Sequence, residues 1–167
     1  MKRRSRILRN VLVLALLLVA SAFVTLRFLP PAANTAFIDF AELKRTPARD
    51  DALACPPGLC TARVDLTIAP VAMSAAALVA NIKALPGLEP RTVLAQADEA
   101  GLRYVLVQRS AALNLPDTIN IAIQPLDAGH AALAIYSRSD HALADRDANI
   151  ARVQRWLDLL GGIGVVG

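Results

Sequence analysis

The sequence is poor in the residues and motifs that build most catalytic sites. Its two histidines, His130 and His141, lie far from the two cysteines in the sequence and are not paired at the spacing of metal ligands. It contains no G-x-S-x-G turn, no G-x-x-x-x-G-K-S/T loop and no H-E-x-x-H helix. Ser137 and Ser139 accompany His141, but alternate strand residues lie about 7 Å apart, too far to activate a serine. We therefore expect no catalytic residue, no metal site and no cofactor.

Positive charge is scarce beyond the N-terminus. Residues 1–27 hold six of the 18 basic residues and no acidic residue, whereas residues 28–167 hold 12 basic and 14 acidic residues. Nucleic-acid binding requires clustered cations, and no such cluster follows residue 27. We therefore expect no nucleic-acid partner, although the whole chain is basic.

The N-terminus itself combines a basic and an apolar segment. Residues 1–10 are basic, and residues 11–26 carry no charge. As a helix, residues 11–29 span about 28 Å, close to the thickness of the hydrocarbon core, and Arg27 is able to extend toward the interface. The segment therefore predicts one transmembrane anchor at residues 11–29. Because flanking cations stay inside, residues 1–10 are predicted to be cytoplasmic.

A cleaved signal peptide is the alternative interpretation of the same segment. Ala20-Ser21-Ala22 matches the A-x-A pattern of a cleavage site. The apolar run, however, continues through residues 23–28, where a signal peptide turns polar. We favour a retained anchor in the inner membrane, with the C-terminal domain in the periplasm.

The two cysteines agree with export. Cys55 and Cys60 flank Pro56-Pro57-Gly58-Leu59, and Pro57-Gly58 suits the centre of a type II turn. In an oxidising compartment we expect a Cys55–Cys60 disulfide. A pair of reactive thiols and a metal site are the alternatives, but the C-x4-C spacing is not C-x-x-C and further ligands are missing.

Residues 30–53 are predicted to be a tether and lead-in, residues 54–160 one folded domain, and residues 161–167 a frayed tail. Residues 38–40 and Leu43 are candidates for packing against the domain. Periodicity predicts a helix capped by Ser74 and ended by Pro86-Gly87, and a last helix capped by Asp147. The predicted strands are residues 63–68, 92–97, 102–110, 118–124 and 131–139, and the last helix covers residues 148–160.

This order, β-α-β-β-β-β-α, predicts an α+β fold. We expect an antiparallel sheet of four to five strands with two helices packed on one face, because the strands and helices do not alternate. Thr118, Asn120 and Gln124 alternate with isoleucines, which predicts that the second face is solvated.

One polar cluster surrounds the connection from the last strand to the last helix. Arg138, Asp145, Asn149 and Arg152 fall within 15 residues of one another, and Asn149 and Arg152 share a helix face. One hypothesis is a polar or anion site built from these four residues. The other is a structural lock, in which Asp145 pairs with an arginine. Arg109 and Asp117 are interpreted as a surface pair.

Several runs of sequence resemble the domain of unknown function 1499 family. The most specific is Tyr136-Ser137-Arg138-Ser139, followed by Asn149-Ile150-Ala151-Arg152-Val153 and Trp156-Leu157. The resemblance covers residues 38–160, with departures at His141, Leu143 and Arg146. It implies a small exported or membrane-anchored protein and no specific activity.

We therefore expect a membrane-anchored accessory or binding domain with a protein or lipid partner at the envelope. A carrier for lipid or a small apolar ligand is one alternative, because a sheet cupped around a C-terminal helix can enclose an apolar pocket. An enzyme of unrecognised type is the other alternative. Strongly perturbed pKa values of several residues converging in a cleft would favour it.

Overall fold

The N-terminal element is an apolar helix. In the computed structural model, which describes residues 2–29, 31–45, 50–139, 141 and 146–165, helix α1 covers Lys2–Phe28. Within it, Arg6–Phe28 has a mean hydropathy of 2.5, and none of this stretch is buried. The helix is long and apolar enough to cross a membrane, a criterion that a signal sequence also meets. The predicted apolar helix is confirmed, and its retention as an anchor stays a prediction.

Six strands of the described chain form one mixed sheet in the order β2-β1-β6-β5-β4-β3. Neighbours among the last four strands are antiparallel, β1 is antiparallel to β6, and β2 is parallel to β1. The strands are β1 (Asp51–Cys55), β2 (Leu66–Thr67), β3 (Thr92–Asp98), β4 (Arg103–Arg109), β5 (Pro116–Pro125) and β6 (Ala131–Ser139).

The predicted α+β class and the order of the later strands are confirmed. The sheet has six strands and is mixed, however, and not the antiparallel sheet of four to five strands that was predicted. β1 was not predicted. Asp51–Cys55 has little β propensity. It spans the predicted boundary between the tether, residues 30–53, and the domain, residues 54–160. Its pairing with β6 on one side and β2 on the other makes it a strand. The sheet is mixed because residues 56–65 carry the chain back, so that β2 runs in the same direction as β1.

Two helices cover one face of the sheet, here called the helix face. They are α2 (Ala75–Leu88) and α3 (Arg146–Leu159). Ser74 caps α2 as predicted, since its Oγ accepts the Ala77 N–H at 3.3 Å, but α2 continues through Pro86 instead of ending there. The buried core between helices and sheet includes Leu78, Ile82, Leu85, Tyr104, Leu106, Ile119, Ile121, Leu133, Ile135, Val153, Trp156 and Leu157.

The opposite face of the sheet is covered by residues 31–45, here called the lead-in segment. Phe40 packs with Leu53 and Tyr136, and the Ile38 N–H donates to Asn120 Oδ1 at 3.3 Å. The expectation of a solvated second face is wrong for the middle of β5, because Thr118 is 2% exposed and Asn120 is 6% exposed. The expected packing of residues 38–40 against the domain is confirmed.

The C-terminal end of α3 is more ordered than predicted. The Gly162 N–H donates to Asp158 O at 2.9 Å, and Gly162 has a φ of 67°, so this glycine forms a C-terminal cap. Ile163 is buried and Val165 bridges to Ile68. The tail is therefore packed at least to Val165, beyond which residues 166–167 lie outside the described residues.

Candidate functional site

The candidate site lies where β4, β5 and β6 meet the first turns of α3. Gln108, Asp117 and Ser139 are direct cross-strand neighbours and form a polar row at this end of the sheet. All three face the helices, because they alternate with the residues of the lead-in face. We call this end of the sheet the polar end.

Arg152 of α3 is held over the polar row by four partners. Its Nη2 forms an ion pair with Asp117 Oδ2, and its Nε donates to Gln108 Oε1 at 2.6 Å. Its Nη1 donates to Ser137 Oγ at 2.9 Å and to Asn149 Oδ1 at 2.5 Å. These contacts occupy most of the five N–H groups of a guanidinium. We call these five residues the Arg152 cluster.

Asn149 extends the Arg152 cluster to β6 and to the chain before β1. Its Oδ1 accepts from Ser137 Oγ at 2.7 Å, and its Nδ2 donates to Ser139 Oγ at 3.0 Å and to Asp50 O at 2.9 Å. Asn149 is 1% exposed and Ser137 is fully buried. The two serine hydroxyls are therefore bound within the packed interior, which does not suit an exposed nucleophile.

Burial and ion pairing shift the pKa of Arg152 in opposite directions. Burial lowers the pKa of Arg152, while the Asp117 carboxylate raises it. A buried guanidinium remains charged, so removing its carboxylate partner leaves an uncompensated charge. The contacts of Arg152 with α3, β4, β5 and β6 identify it as a structural clamp.

An open pocket of about 530 Å³ lies beside this clamp. Four arginines and two carboxylates contribute to its wall. It is lined by Glu89, Pro90, Arg91, Gln108, Arg109, Ser110, Asp117, Ser139, His141, Ala148, Arg152 and Arg155. Asp117 neutralises Arg152, and Glu89 pairs with Arg155 at 2.8 Å. Among the described lining residues, arginines therefore outnumber carboxylates by two.

The excess charge belongs to Arg91 and Arg109. Arg91 Nε donates to Arg109 O at 3.0 Å, and Arg109 Nη1 donates to Asn114 O at 3.0 Å. Within the described residues, neither guanidinium lies in a salt bridge. Arg91 is exposed and has a φ of 57°, a left-handed conformation that favours glycine or asparagine. Two guanidinium groups without acidic partners thus line one side of the pocket.

An imidazole and a carboxylate lie close together on the pocket wall. His141 Nε2 and Asp117 Oδ1 are 3.3 Å apart, within ion-pair distance. Asp117 is 6% exposed. His141 Nδ1 has no hydrogen-bond partner among the described residues, and a buried polar atom without a partner is costly.

Glu89 closes the pocket next to α3. It accepts from Arg155 Nε at 2.8 Å and from Gln108 Nε2 at 2.9 Å. The hydrogen bond from Arg155 is the main cause of a lowered pKa of Glu89, which burial opposes. Glu89 is therefore ionised near neutral pH and neutralises one cation of the wall.

Of the four residues predicted as a polar or anion site, the structure describes Arg138, Asn149 and Arg152. Asn149 and Arg152 lie together in the Arg152 cluster. Arg138 lies opposite Asp51 in the β1–β6 register and on the lead-in face, because the Ser137 and Ser139 side chains occupy the helix face. Asp145 lies outside the described residues, so the structural lock that it was expected to form stays a prediction.

Several contributors to the site were not predicted as such, among them Arg91 and Arg155 of the pocket wall. Gln108 and Asp117 join the Arg152 cluster, and Glu89 holds Arg155. The interpretation of Arg109 and Asp117 as a surface pair is wrong, because Asp117 is buried against Arg152 and lies opposite Gln108. Gln108 and Asp117 lie at the ends of two adjacent predicted strands. This position was the only signal in the sequence that the two residues lie side by side.

A second charged cluster lies on the lead-in face. Arg45 of the lead-in segment forms ion pairs with Asp51 and, at 2.7 Å, with Asp65. Asp65 also accepts from Arg146 Nη2 at 2.6 Å, and Tyr136 Oη donates to Asp51 Oδ2 at 2.7 Å. We call these five residues the Arg45 cluster. It ties the lead-in segment to β1, β6 and the start of α3.

The charges of the Arg45 cluster support one another. Burial by itself raises the pKa of Asp65, but hydrogen bonds from Arg146, the Leu53 N–H and Arg45 lower it overall. Burial and the bond to Asp51 both raise the pKa of Tyr136. Asp65 is thus held ionised and Tyr136 protonated, as their contacts require.

The predicted turn and cysteine pair are present. Cys55 and Cys60 form a disulfide with a Cα–Cα distance of 6.3 Å. The Leu59 N–H lies 3.4 Å from Pro56 O, and Gly58 has a φ of 84°, as a type II turn requires. Cys55 is fully buried against the lead-in face. The disulfide therefore fixes the end of β1 under the lead-in segment.

Among the described residues, no group of three His, Cys, Asp or Glu side chains is placed to hold a metal ion. Comparison of the chain with protein-family models and with curated proteins finds no match. The geometry itself therefore carries the functional interpretation: a rigid arginine clamp beside an open pocket with an excess of cationic groups.

Proposed function

We propose that this chain is a membrane-anchored binding protein of the cell envelope and that its polar-end pocket accepts an anionic group. The supporting observation is the pocket wall, in which neither Arg91 nor Arg109 pairs with an acidic residue within the part of the chain that the structure describes. Guanidinium groups match carboxylate and phosphate oxygens with paired hydrogen bonds. The Arg152 cluster serves as the rigid support of the pocket and not as its ligand-binding group.

The proposal places the chain in the inner membrane, with residues 1–10 in the cytoplasm and the folded domain in the periplasm. The basic residues before the apolar helix favour this orientation, and the Cys55–Cys60 disulfide favours an oxidising compartment. We also propose that the chain is related to the domain of unknown function 1499 family, which it resembles in sequence. This relationship agrees with an exported location.

The topology is tested with reporter fusions after Leu160 and by sequencing the mature N-terminus. A periplasm-dependent reporter is expected to be active, and a cytoplasm-dependent reporter inactive. The purified chain is expected to begin at its initiator region. A mature N-terminus at Phe23 would show that the apolar helix is a cleaved signal.

A carrier for a purely apolar ligand fits the pocket less well. The interface between α3 and the sheet is filled by Val153, Trp156 and Leu157, each at most 1% exposed. The 530 Å³ pocket instead opens beside the charged polar row. A ligand in this pocket needs a polar or charged group to pair with the arginines.

Anion binding is tested by calorimetric titration of the full chain in neutral detergent micelles with inorganic phosphate. Arg91→Gln together with Arg109→Gln is expected to weaken binding at least about tenfold, the effect of losing one charge-assisted hydrogen bond. The matched control is Arg63→Gln with Lys83→Gln, which removes the same charge at exposed positions outside the pocket. The proposal fails if phosphate and small carboxylates do not bind, or if both double variants lose affinity equally.

A further inference from the structure

We propose that the polar-end pocket opens against the membrane that α1 crosses and binds the phosphate of an anionic phospholipid headgroup. This inference rests on the proposed anion site and names the source of the anion. Its independent basis is the position of the pocket relative to the chain that leaves α1.

The end of α1 contacts the rim of the pocket directly. Asn114, in the turn between β4 and β5, donates from Nδ2 to Arg27 O at 3.2 Å. Arg109 Nη1 donates to Pro31 O at 3.3 Å. Arg109 therefore contacts the chain at the exit of α1 and also lines the pocket.

The distance along the chain keeps the pocket at the membrane surface. α1 ends at Phe28, and three residues span at most about 11 Å when fully extended. The polar headgroup layer is about 5–7 Å thick on each side of the hydrocarbon core. If α1 crosses the membrane, the Arg109 guanidinium consequently lies within or immediately above the headgroup layer.

The side chains around this rim suit an interface between lipid and water. Phe28, Leu29 and Leu88 are exposed apolar residues at 75%, 74% and 58%. Arg91 follows Leu88 closely, and its guanidinium is on the pocket wall. Apolar contact with the acyl boundary combined with arginine contact to phosphate is the usual chemistry of binding to anionic lipid.

The backbone at Arg91 supports a role for its side chain. With a φ of 57°, this position is one that glycine occupies without strain. An arginine at this position is therefore unfavourable for the backbone of the turn. We infer that its guanidinium group contributes to the pocket and offsets this cost. Asn114, with a φ of 58°, is a residue that tolerates this conformation.

The test uses native mass spectrometry of the full chain released from neutral detergent micelles. The micelles contain equal amounts of phosphatidylglycerol and phosphatidylcholine, and a parallel sample contains inorganic phosphate without lipid. The proposal expects retention of one phosphatidylglycerol, at least about fivefold over phosphatidylcholine, the effect of one basic residue near an anionic surface.

Two variants and one control locate the lipid. Arg91→Gly removes the guanidinium while keeping an unstrained backbone, so a loss of lipid cannot be ascribed to misfolding if the thermal melt is unchanged. Arg109→Gln removes the group that contacts both Pro31 and the pocket. Lys83→Gln, which changes an exposed residue of α2 outside the pocket, is expected to retain the lipid.

The outcomes separate this inference from the proposed function. Selective retention of phosphatidylglycerol that both pocket variants abolish and Lys83→Gln preserves supports the inference. Binding of inorganic phosphate without a preference between lipids leaves the anion site standing and overturns the lipid source. Equal losses in all three variants also overturn it, because the attraction is then a general effect of charge. Binding of neither phosphate nor lipid contradicts both proposals.

Discussion

The Arg152 cluster and the Arg45 cluster place buried arginines on opposite faces of one sheet, yet they differ in what surrounds them. In the Arg45 cluster, Asp51 and Asp65 have side chains 1% and 2% exposed. Asp51 contacts Arg45 and Tyr136, and Asp65 contacts Arg45, Arg146 and the Leu53 N–H. In the Arg152 cluster, Asp117 pairs with Arg152 and lies 3.3 Å from His141 Nε2. It lines an open pocket to which Arg91 and Arg109 also contribute, and neither of these arginines forms a salt bridge among the described residues.

This difference shows how a buried charge indicates function. A charged group whose hydrogen bonds are all made within the protein is explained by its structural role. The guanidinium groups of Arg91 and Arg109, which line a pocket and form no salt bridge among the described residues, are not explained in this way. We therefore assign the Arg45 cluster to attachment of the lead-in segment and the polar end to ligand binding.

The largest expected effect is on the clamp. Arg152→Met should lower the free energy of unfolding by about 3–5 kcal/mol, because Asp117 then stays buried without its cation and three further groups lose a donor. Denaturant melts of the full chain measure this change. The control is Gln154→Met at an exposed position of the same helix. A loss below about 1 kcal/mol would contradict the structural role of Arg152.

A smaller effect is expected on the lead-in face. Arg45→Met should cost about 1–3 kcal/mol of unfolding free energy, since Asp51 keeps Tyr136 and Asp65 keeps Arg146 as partners. The change should also increase hydrogen exchange in residues 38–45 while leaving the polar end unaffected. Arg63→Met, at a 76% exposed side chain, is the control. A cost larger than that of Arg152→Met would reverse the comparison between the two clusters.

The disulfide is expected to contribute a similar or smaller amount. Replacing Cys55 and Cys60 together by serine should lower the free energy of unfolding by about 2 kcal/mol, as expected for so short a loop. Protection from hydrogen exchange should also fall, and the decrease should be greatest in β1. Thiol titration of the unfolded, unreduced chain is expected to find none free. Two free thiols per chain would sink the assignment.

The smallest effect is a change in pH dependence at the pocket. Because the folded-state pKa of Glu89 lies below its ordinary value, its ionisation stabilises the fold above the unfolded-state pKa and loses that effect as pH falls through the folded-state pKa. In Glu89→Gln, the free energy of unfolding should therefore fall less steeply between about pH 5 and pH 3. Asp158→Asn, an exposed change on α3, is the control. If the free energy of unfolding fell equally steeply with pH in Glu89→Gln and in the original chain, the contact between Glu89 and Arg155 would be refuted.

The sequence predicted those parts of the fold whose signal is local. The apolar helix, the Ser74 cap, the Pro57-Gly58 turn and the later strands follow from periodicity and turn chemistry. β1 was missed because its strand geometry depends on pairing with β6 and β2, which no local pattern in Asp51–Cys55 encodes. The covered second face was missed for the same reason, since Asn120 is buried only because the lead-in segment folds back over it.

The candidate site could be located but not assembled from the sequence. Helical spacing correctly paired Asn149 with Arg152, since both lie within the same two turns. The face of Arg138 depends on strand phase, and a shift by one residue moves a side chain to the other face. Asp117 and Gln108 joined the site through the β4–β5 register, which the sequence did not specify.

The most direct test of the central claim follows the arginine Nε resonances of the full chain in detergent micelles by ¹⁵N NMR during titration with inorganic phosphate. The account predicts that the signals of Arg91 and Arg109 shift in a saturable manner, while the signal of Arg45 stays unchanged because its partners are internal. A shift of Arg45 as large as that of Arg91, or no shift of the pocket arginines at saturating phosphate, would contradict the assignment of ligand binding to the polar end.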